Sequence, residues 1–299
     1  MINFLTAQQE VATLLGLDIT NVNTQTECKR WLNFAYQDII GKYDWSWLKQ
    51  YTTVTMQTDY VTGTVIATPG SATITFSQTI ATSQTGRSIQ FASGLSWYTI
   101  SAHTAGSATA TISPVYAPTA AYNSTFIIRT INYSLPSTVE YVYGGRSTAF
   151  PWALEVVDRT RYNQFAWWAN LIGQVRGIIF NGQDSSGNWT FTPYPFPNDT
   201  YILEIYYIQR VTDLSADADT PLFPARFQSV WIEGAIAQGF KFLDDDRYGT
   251  SFSVFQQKIK DLFDRDNPAQ NQMFVIRPFD DQPSVKGINF PPEYGPNGR

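Results

Sequence analysis

Side chains able to break bonds are scarce in this sequence. Among its 299 residues there is one histidine, His103, and one cysteine, Cys28. A single histidine excludes a multi-histidine metal site, and a Ser–His–Asp or Cys–His arrangement would have to use His103. That residue lies at the turn-like end of a β-prone run, residues 101–106, which favours a solvated or hydrogen-bonded loop histidine.

Cys28 and the glycines offer no better route to chemistry. Cys28 falls on the apolar stripe of an expected helix, so we interpret it as a small buried hydrophobe and not as a nucleophile. The sequence contains no G-x-x-x-x-G-K-[ST] phosphate loop, and no G-x-G-x-x-G lies between a strand and a helix. The adjacent glycines 144 and 145 are better explained as a turn. We therefore predict no cofactor and no metal.

A pair of carboxylates is the one catalytic mechanism that stays open, as in glycoside hydrolysis. The candidates are Glu140, Glu155, Asp158, Glu204 and Glu233. No pattern in the sequence pairs any two of them. With so little catalytic equipment, the chain is predicted not to be an enzyme.

The elements that would position these residues begin with two helices in residues 1–50. Thr6 and Thr24 each open a capping-box-like pattern, and Gly16 is a stop signal. Apolar residues at spacings of three and four then predict a long amphipathic helix. They are Cys28, Trp31, Leu32, Ala35, Tyr36, Ile39, Ile40 and Tyr43.

Residues 51–135 change in composition and predict a small inserted β-barrel or β-sandwich. Arg87 is the only charged residue between positions 60 and 128. Short β-prone runs at 64–68, 72–76, 88–91, 97–101, 109–113 and 125–131 alternate with turn signals. Disorder of a Thr/Ser-rich stretch is the competing interpretation. Apolar residues that alternate with polar neighbours argue against it: Val65, Ile74, Phe76, Ile89, Phe91, Trp97 and Ile112.

Residues 136–266 return to mixed structure. A helix is expected over residues 153–170, and strands over 175–180, 189–192 and 201–211. Pro224 suits the first turn of a helix. A second helix, which carries Phe255 and Ile259 at helical spacing, runs to about residue 266 and completes a helical hairpin.

Residues 267–299 hold six of the chain's 16 prolines, which exclude regular helix for most of the stretch. The apolar residues among them favour an extended arm that orders on a neighbouring subunit or another partner. A flexible tail with scattered aromatics is the alternative. The predicted partner-binding residues are Phe274, Ile276, Phe279, Ile288, Phe290 and Tyr294.

Composition also favours interfaces. The 9 Trp, 17 Tyr and 20 Phe exceed ordinary needs, which indicates protein interfaces or sugar-binding surfaces, unless the core itself is rich in rings. The net charge of −5 argues against DNA binding through a basic surface. One cysteine allows no internal disulfide and fits a reducing cytoplasm. No signal peptide and no apolar run of about 18 residues is visible, so we expect a soluble protein without membrane contact.

Three stretches together resemble the head-to-tail adaptor (connector) proteins of tailed bacteriophages, particularly short-tailed, podovirus-like ones. The first is WLNFAYQDII at 31–40 followed by YDWSWL at 43–48. The second is YPFP at 194–197 leading into YILEIYYIQR at 201–210, and the third is DTPLFPARF at 219–227. The inserted segment, with GRSIQF at 86–91 and WYTI at 97–100, is similar to one found in some adaptors.

The resemblance implies an α+β protein with a helical body, made of the N-terminal helix pair and the C-terminal helical hairpin. The body would comprise residues 1–50 and 136–266, with an inserted all-β domain at 51–135 and an extended arm at 267–299. It also implies a homo-oligomeric ring of about twelve copies that binds the portal protein above and tail or nozzle proteins below. DNA would pass through the channel without sequence-specific binding. The virion would carry the protein at its head–tail junction, after assembly in the bacterial cytoplasm.

Two other functions stay open at this point. A tail-tube or nozzle component would share the aromatic richness and the β content. A glycan-binding or glycan-cleaving virion protein would use rings near Trp97, Tyr98 and Trp189 to stack on sugars.

Overall fold

The computed structural model of the chain describes residues 2–91, 96–150, 153–157, 159–160 and 171–266. Over these residues the protein is α+β, as the sequence predicts. The helices are α1 Phe4–Leu15, α2 Val22–Lys42, α3 Gln228–Phe242 and α4 Tyr248–Asp266, with 3₁₀ turns at Ser46–Leu48 and Ala225–Phe227. In the part of the chain described, every helix is too short or too polar to cross a membrane.

The strands form four sheets. In chain order they are β1 Lys49–Met56, β2 Val65–Ala67, β3 Thr73–Ile80, β4 Ser88–Phe91, β5 Trp97–His103, β6 Ser107–Ser113, β7 Tyr122–Ser124, β8 Phe126–Arg129, β9 Tyr133–Ser134, β10 Val139–Ser147, β11 Glu155–Val156, β12 Ile172–Gly173, β13 Gly177–Gln183, β14 Trp189–Tyr194, β15 Phe196–Pro197 and β16 Tyr201–Gln209. The sheet orders are β7-β2-β3-β6-β5-β4-β8, β1-β16-β10, β11-β13-β14-β9 and β12-β15.

Both N-terminal helices begin at an asparagine, earlier than the sequence patterns predicted. Asn3 caps α1, because its side-chain oxygen accepts from the Thr6 N–H at 2.9 Å. Asn21 caps α2 in a similar way, because its side-chain oxygen accepts from the Asn23 N–H at 2.9 Å. Thr6 and Thr24 therefore lie inside helices, since an upstream asparagine already satisfies a free N–H of the first turn. Gly16 ends α1 with a φ of 69°, as predicted.

One apolar core joins the four helices. Trp231 of α3 is fully buried, and its indole N–H donates to the Leu32 carbonyl of α2 at 2.8 Å. Gly234 permits a close helix approach, because a Cβ there would lie 2.8 Å from the Ala35 Cβ and 2.5 Å from the Phe255 ring. The predicted stripe of α2 supplies Cys28, Trp31, Leu32, Ala35, Tyr36 and Ile39, all of them buried.

The seven-stranded sheet curls into a nearly closed barrel, residues 60–129, called the barrel below. Its end strands, β7 and β8, are consecutive in the chain. The segment 60–67 contacts both of them, because Tyr60 bridges to Ile128 and β2 pairs with β7. Most of the alternating apolar residues are buried: Val65, Ile74, Phe76, Ile89, Phe91 and Ile112. Trp97 is only half-buried, because alternation along β5 turns Tyr98 inward.

Arg87, the only charged residue between positions 60 and 128, lies in the interior of the barrel. Arg87 is buried and donates to the Gln84 side chain and to the Thr58 carbonyl, both at 2.7 Å. The outer surface carries many Thr and Ser hydroxyls, such as those of the cross-strand neighbours Thr75 and Thr109, beside a few exposed apolar side chains such as Ile66. The barrel is therefore apolar inside, apart from this network, and neutral outside.

The three-stranded sheet, called the body sheet, has β16 at its centre and β1 and β10 antiparallel to it. The expected boundary at residue 51 falls within β1 of this sheet. On one side of the body sheet Leu203, Ile205 and Tyr207 are buried, and they share a core with Met56 and with Phe191 of the four-stranded sheet. This core positions the outward-facing residues of β16.

The helix expected over residues 153–170 is wrong at its start. Glu155–Val156 forms β11, which pairs in parallel with β13. The Val157 N–H continues this pairing and donates to the Ile178 carbonyl at 2.9 Å. Two successive β-branched valines fit a strand better than a helix, and β13 supplies the partner that a local pattern does not show. Residues 159–160 are helical, whereas 158 and 161–170 lie outside the described residues.

Candidate interaction surfaces

His103 is a structural residue at the end of β5. It is buried, its Nδ1 accepts from the Gln84 N–H at 3.2 Å, and its Nε2 lies 3.2 Å from the Ser107 carbonyl oxygen. Because Nδ1 accepts, Nε2 carries the hydrogen and donates to Ser107. The histidine is hydrogen-bonded, as one expectation had it, but buried and not solvated. Both ring nitrogens are engaged by backbone groups.

Cys28 lies fully buried in α2, as its place on the apolar stripe predicted. Burial raises the pKa of its thiol to about 11, so the sulfur stays protonated at neutral pH. Among the described residues, no three His, Cys, Asp or Glu side chains come together in a way that could hold a metal ion.

The candidate carboxylates are engaged separately. Three of them each bind a cation: Glu140 binds Arg210 at 2.9 Å, Glu204 binds Arg146 at 2.6 Å, and Glu233 binds Lys258. Glu155 is exposed on β11, and Asp158 lies outside the described residues. The hydrogen bond from Arg146 lowers the pKa of Glu204, the opposite of what a general acid needs.

The two tryptophans considered for sugar stacking both have partners. The Arg129 guanidinium lies 5.6 Å from the centre of the Trp97 ring. The Trp189 indole N–H donates to the Glu140 carbonyl at 3.0 Å, and its ring meets Phe180 edge-on at 5.9 Å. Their surroundings account for both rings without a sugar.

The outer side of the body sheet carries a row of exposed tyrosines, called the tyrosine face. Tyr51 of β1 lies opposite Tyr206 of β16, and the Tyr143 ring of β10 stacks on Tyr206 with 6.3 Å between centroids. Tyr51 is 66% exposed and Tyr143 is 50% exposed. Tyr141 and Ile202 extend the exposed surface. The strand predicted at 201–211 contributes to this face, but the face itself was not predicted, because it depends on the pairing of β16 with β1 and β10.

Most polar groups on the tyrosine face are hydroxyls or are paired. The Tyr141 hydroxyl donates to the Asp44 carboxylate, and burial together with this neighbour raises its pKa to about 12. Burial also raises the pKa of Tyr143. Arg146 and Glu204 form an ion pair at 2.6 Å. Apart from Lys49 at the start of β1, the face therefore presents tyrosine rings and hydroxyls beside one matched ion pair, a composition typical of protein interfaces.

Exposed apolar residues also lie at the C-terminal ends of α1 and α3 and are called the helix-end patch: Leu14, Phe242 and Leu243. These residues are 59%, 55% and 47% exposed. The ends of α1 and α3 approach each other, because a Cβ on Gly239 would lie 2.5 Å from the Leu15 side chain. The patch lies on helices, whereas the tyrosine face lies on the body sheet.

Charged residues follow the helix-end patch along the chain. Asp245 binds Arg247 at 2.7 Å, and this hydrogen bond lowers its pKa to about 2. The Arg247 guanidinium also lies 4.3 Å from the centre of the Phe240 ring. An apolar centre with a charged border is the usual anatomy of a binding surface.

Two chain segments, called the neck, connect the barrel to the other sheets: residues 57–59 lead from β1 of the body sheet, and residues 129–132 lead to β9 of the four-stranded sheet. Arg129 is 4% exposed and binds both carboxylate oxygens of Asp59, at 2.9 and 2.7 Å. Its guanidinium also lies 4.4 Å from the centre of the Phe196 ring, on β15. The barrel is thus held by a buried ion pair that contacts another sheet.

The predicted partner-binding residues all lie outside the described residues: Phe274, Ile276, Phe279, Ile288, Phe290 and Tyr294. The structure does fix where their segment begins. The Asp266 carboxylate, 3% exposed, accepts from the Ser46 N–H at 2.8 Å and binds Arg226 at 2.5 Å. Nearby, the rings of Tyr43 and Phe263 stack at 4.0 Å. The end of α4 is therefore pinned beside the start of β1.

A protein-family model described as SU10 adaptor protein matches residues 2–277. No curated protein sequence matches the chain. The match includes the tyrosine face, the helix-end patch, the barrel and the neck, and it ends at Arg277.

Proposed function

Because this chain belongs to the SU10 adaptor protein family, we propose that it is a virion structural protein that joins the portal of a phage head to the tail. In this proposal it assembles as a ring around the DNA channel, at the head–tail junction of a short-tailed phage. The resemblance in three sequence stretches and the family match over residues 2–277 support the same adaptor role.

The observation that carries the proposal is the presence of two different exposed apolar surfaces on one subunit. A subunit of a closed ring contacts one neighbour through one surface and the other neighbour through another. The tyrosine face and the helix-end patch are different in composition and lie on different elements, as such heterologous contacts require. A two-fold dimer would need only one self-complementary patch.

The barrel is, in this proposal, a domain inserted into a body made of the helices and the remaining sheets. Its neutral hydroxyl surface faces outward or toward tail proteins. The net charge of −5 fits a channel wall that lets DNA pass without holding it. The arm residues Phe274, Ile276, Phe279, Ile288, Phe290 and Tyr294 would bind the portal or an adjacent subunit.

The mass of the purified chain, measured alone and after mixing with isolated portal rings, tests this function. We expect a complex in which many copies of the chain join one portal ring. A chain that joins purified tail tube or nozzle and ignores the portal would instead be a tail component. A chain that stays monomeric with the portal and with the tail components, and that hydrolyses a glycan, would contradict the structural role altogether.

A further inference from the structure

The outer edge of β1 is a long, regular and unpaired strand edge. β1 pairs with β16 through eight consecutive residues without a bulge, from Lys49 opposite Ile208 to Met56 opposite Tyr201. In the sheet order β1-β16-β10, no strand of the described chain lies on its other side. Its backbone N–H and C=O groups on that side are therefore open to another strand.

The opposite edge of the same sheet is protected. β10 shifts register twice against β16. Its outer side bridges to Ala153, and the Leu154 N–H donates to the Gly145 carbonyl at 2.9 Å. Bulges and covering segments are the usual ways in which proteins blunt an edge, together with prolines and lysines. β1 has none of these devices except Lys49 at its first position.

The C-terminal segment starts close to Lys49, the first residue of β1. Asp266 ends α4 and accepts from the Ser46 N–H, and Ser46 lies only three residues before Lys49. A chain that leaves this point and runs beside β1 would lie parallel to it. The link would be residues 267–271, a length within the usual range of about two to six residues for a helix-to-strand connection.

The sequence beyond the link suits a strand. Residues 272–277, QMFVIR, are the apolar run between Pro268 and Pro278. Phe274 and Ile276 would share one face, and Val275 the other. The family model also matches the chain as far as Arg277 and no further. The run thus belongs to the part of the chain that matches the family, whereas the proline-rich remainder does not.

We propose that residues 272–277 add to the free edge of β1 of the same copy as a fourth, parallel strand of the body sheet. Main-chain hydrogen bonds would hold this strand, and its alternate side chains would extend both faces of the sheet. Pro278 lacks an N–H and ends the pairing. Phe274 and Ile276, predicted to bind a partner, would then lie on the body sheet of the same copy. The remaining residues, 279–299, would leave from the far end of β1, where the neck begins, toward a partner. The pairing itself does not depend on the proposed ring.

Hydrogen exchange of the full-length chain tests the pairing. One of two successive N–H groups of the strand faces β1, so Val275→Pro together with Ile276→Pro removes a ladder N–H in either register, and amides of β1 should exchange about tenfold faster than in the unchanged chain. Val285→Pro together with Lys286→Pro, in the same segment but outside the run, should leave the exchange of β1 unchanged. Exchange of the α2 and α3 amides, which should be the same in all three chains, checks that the fold is intact. Equal exchange of β1 in the first variant and in the unchanged chain would refute the added strand.

Cross-linking tells whether the strand comes from the same copy. A chain with Thr53→Cys and Val275→Cys, treated with a short bis-maleimide, should yield one cross-linked chain with the mass of a monomer after denaturation. The pair Thr53→Cys and Val285→Cys is the control and should react far less. A cross-linked dimer from the first pair would show strand exchange between copies and overturn the same-copy assignment. Cys28 is buried and unreactive in the folded chain, so it does not interfere.

Discussion

The barrel and the body sheet differ in how the backbone groups at their sheet edges are paired. In the barrel the two end strands come together through residues 60–67, and the Arg87 side chain is turned inward. The body sheet has three strands, one regular free edge and one open face of tyrosines. Closure satisfies backbone groups internally, whereas an open sheet leaves them for a partner. The difference fits the proposal that assembly contacts use the body sheet, whereas the barrel is a separately closed unit.

The largest expected effect concerns the neck that joins these two regions. Arg129→Ala leaves the Asp59 carboxylate nearly buried and without its partner, and it removes the contact with Phe196. Breaking such a buried pair costs about 3–5 kcal/mol of the free energy of unfolding. Denaturant unfolding followed by circular dichroism measures this loss.

The matched control for the neck is the double variant Arg129→Ala, Asp59→Ala. It should be less destabilised than the sum of the two single variants, because no uncompensated charge stays buried. Additive losses would mean that the two side chains act independently, and the neck would then not be what holds the barrel to the other sheets.

The next effect separates binding from folding. Tyr51→Ala on the tyrosine face should weaken association between copies, or with the portal, by about 2 kcal/mol or more, as aromatic centres of interfaces do. Its free energy of unfolding should change by less than about 0.5 kcal/mol, because Tyr51 is mostly exposed. Sedimentation at several concentrations measures the association.

Thr75→Ala, on an equally exposed strand position of the barrel, is the control for Tyr51→Ala. We expect it to change neither association nor stability measurably. If Thr75→Ala disrupted assembly and Tyr51→Ala did not, the barrel and not the body sheet would be the assembly surface, and the contrast between the two regions would be reversed.

Local patterns predicted the parts of the fold that are local in sequence. The spacing of three and four in α2 and the alternation in the barrel strands each depend on neighbouring residues, and both appear in the structure. The body sheet depends on a partner far along the chain, since Tyr51 lies opposite Tyr206. No local pattern contains that register, so the tyrosine face could not be predicted even though its strands partly were.

Gly145 is a single residue whose role depends on contacts that a local sequence pattern does not show. As one of two adjacent glycines it was interpreted as a turn, but it lies within β10. A Cβ at this position would lie 2.7 Å from the Glu204 carbonyl oxygen and 3.1 Å from the Leu154 side chain. The glycine is needed because other strands approach closely, not because the backbone turns, and sequence alone does not distinguish these two reasons.

The smallest expected effect compares the ion pair of the open face with that of the neck. Arg146 and Glu204 are as close as Arg129 and Asp59, but Arg146 is 59% exposed, and water and salt screen the pair. Because Arg146 lowers the pKa of Glu204, the stability that the pair contributes is present above the carboxylate's ordinary pKa of 4.5 and is lost as the pH falls through the folded value.

In Arg146→Ala the pKa of Glu204, followed by NMR titration, should therefore rise toward 4.5, while the midpoint of unfolding at neutral pH hardly moves. A loss of stability as large as that of Arg129→Ala would show that the tyrosine face is not an open surface. The body sheet would then not differ from the barrel in having an open face.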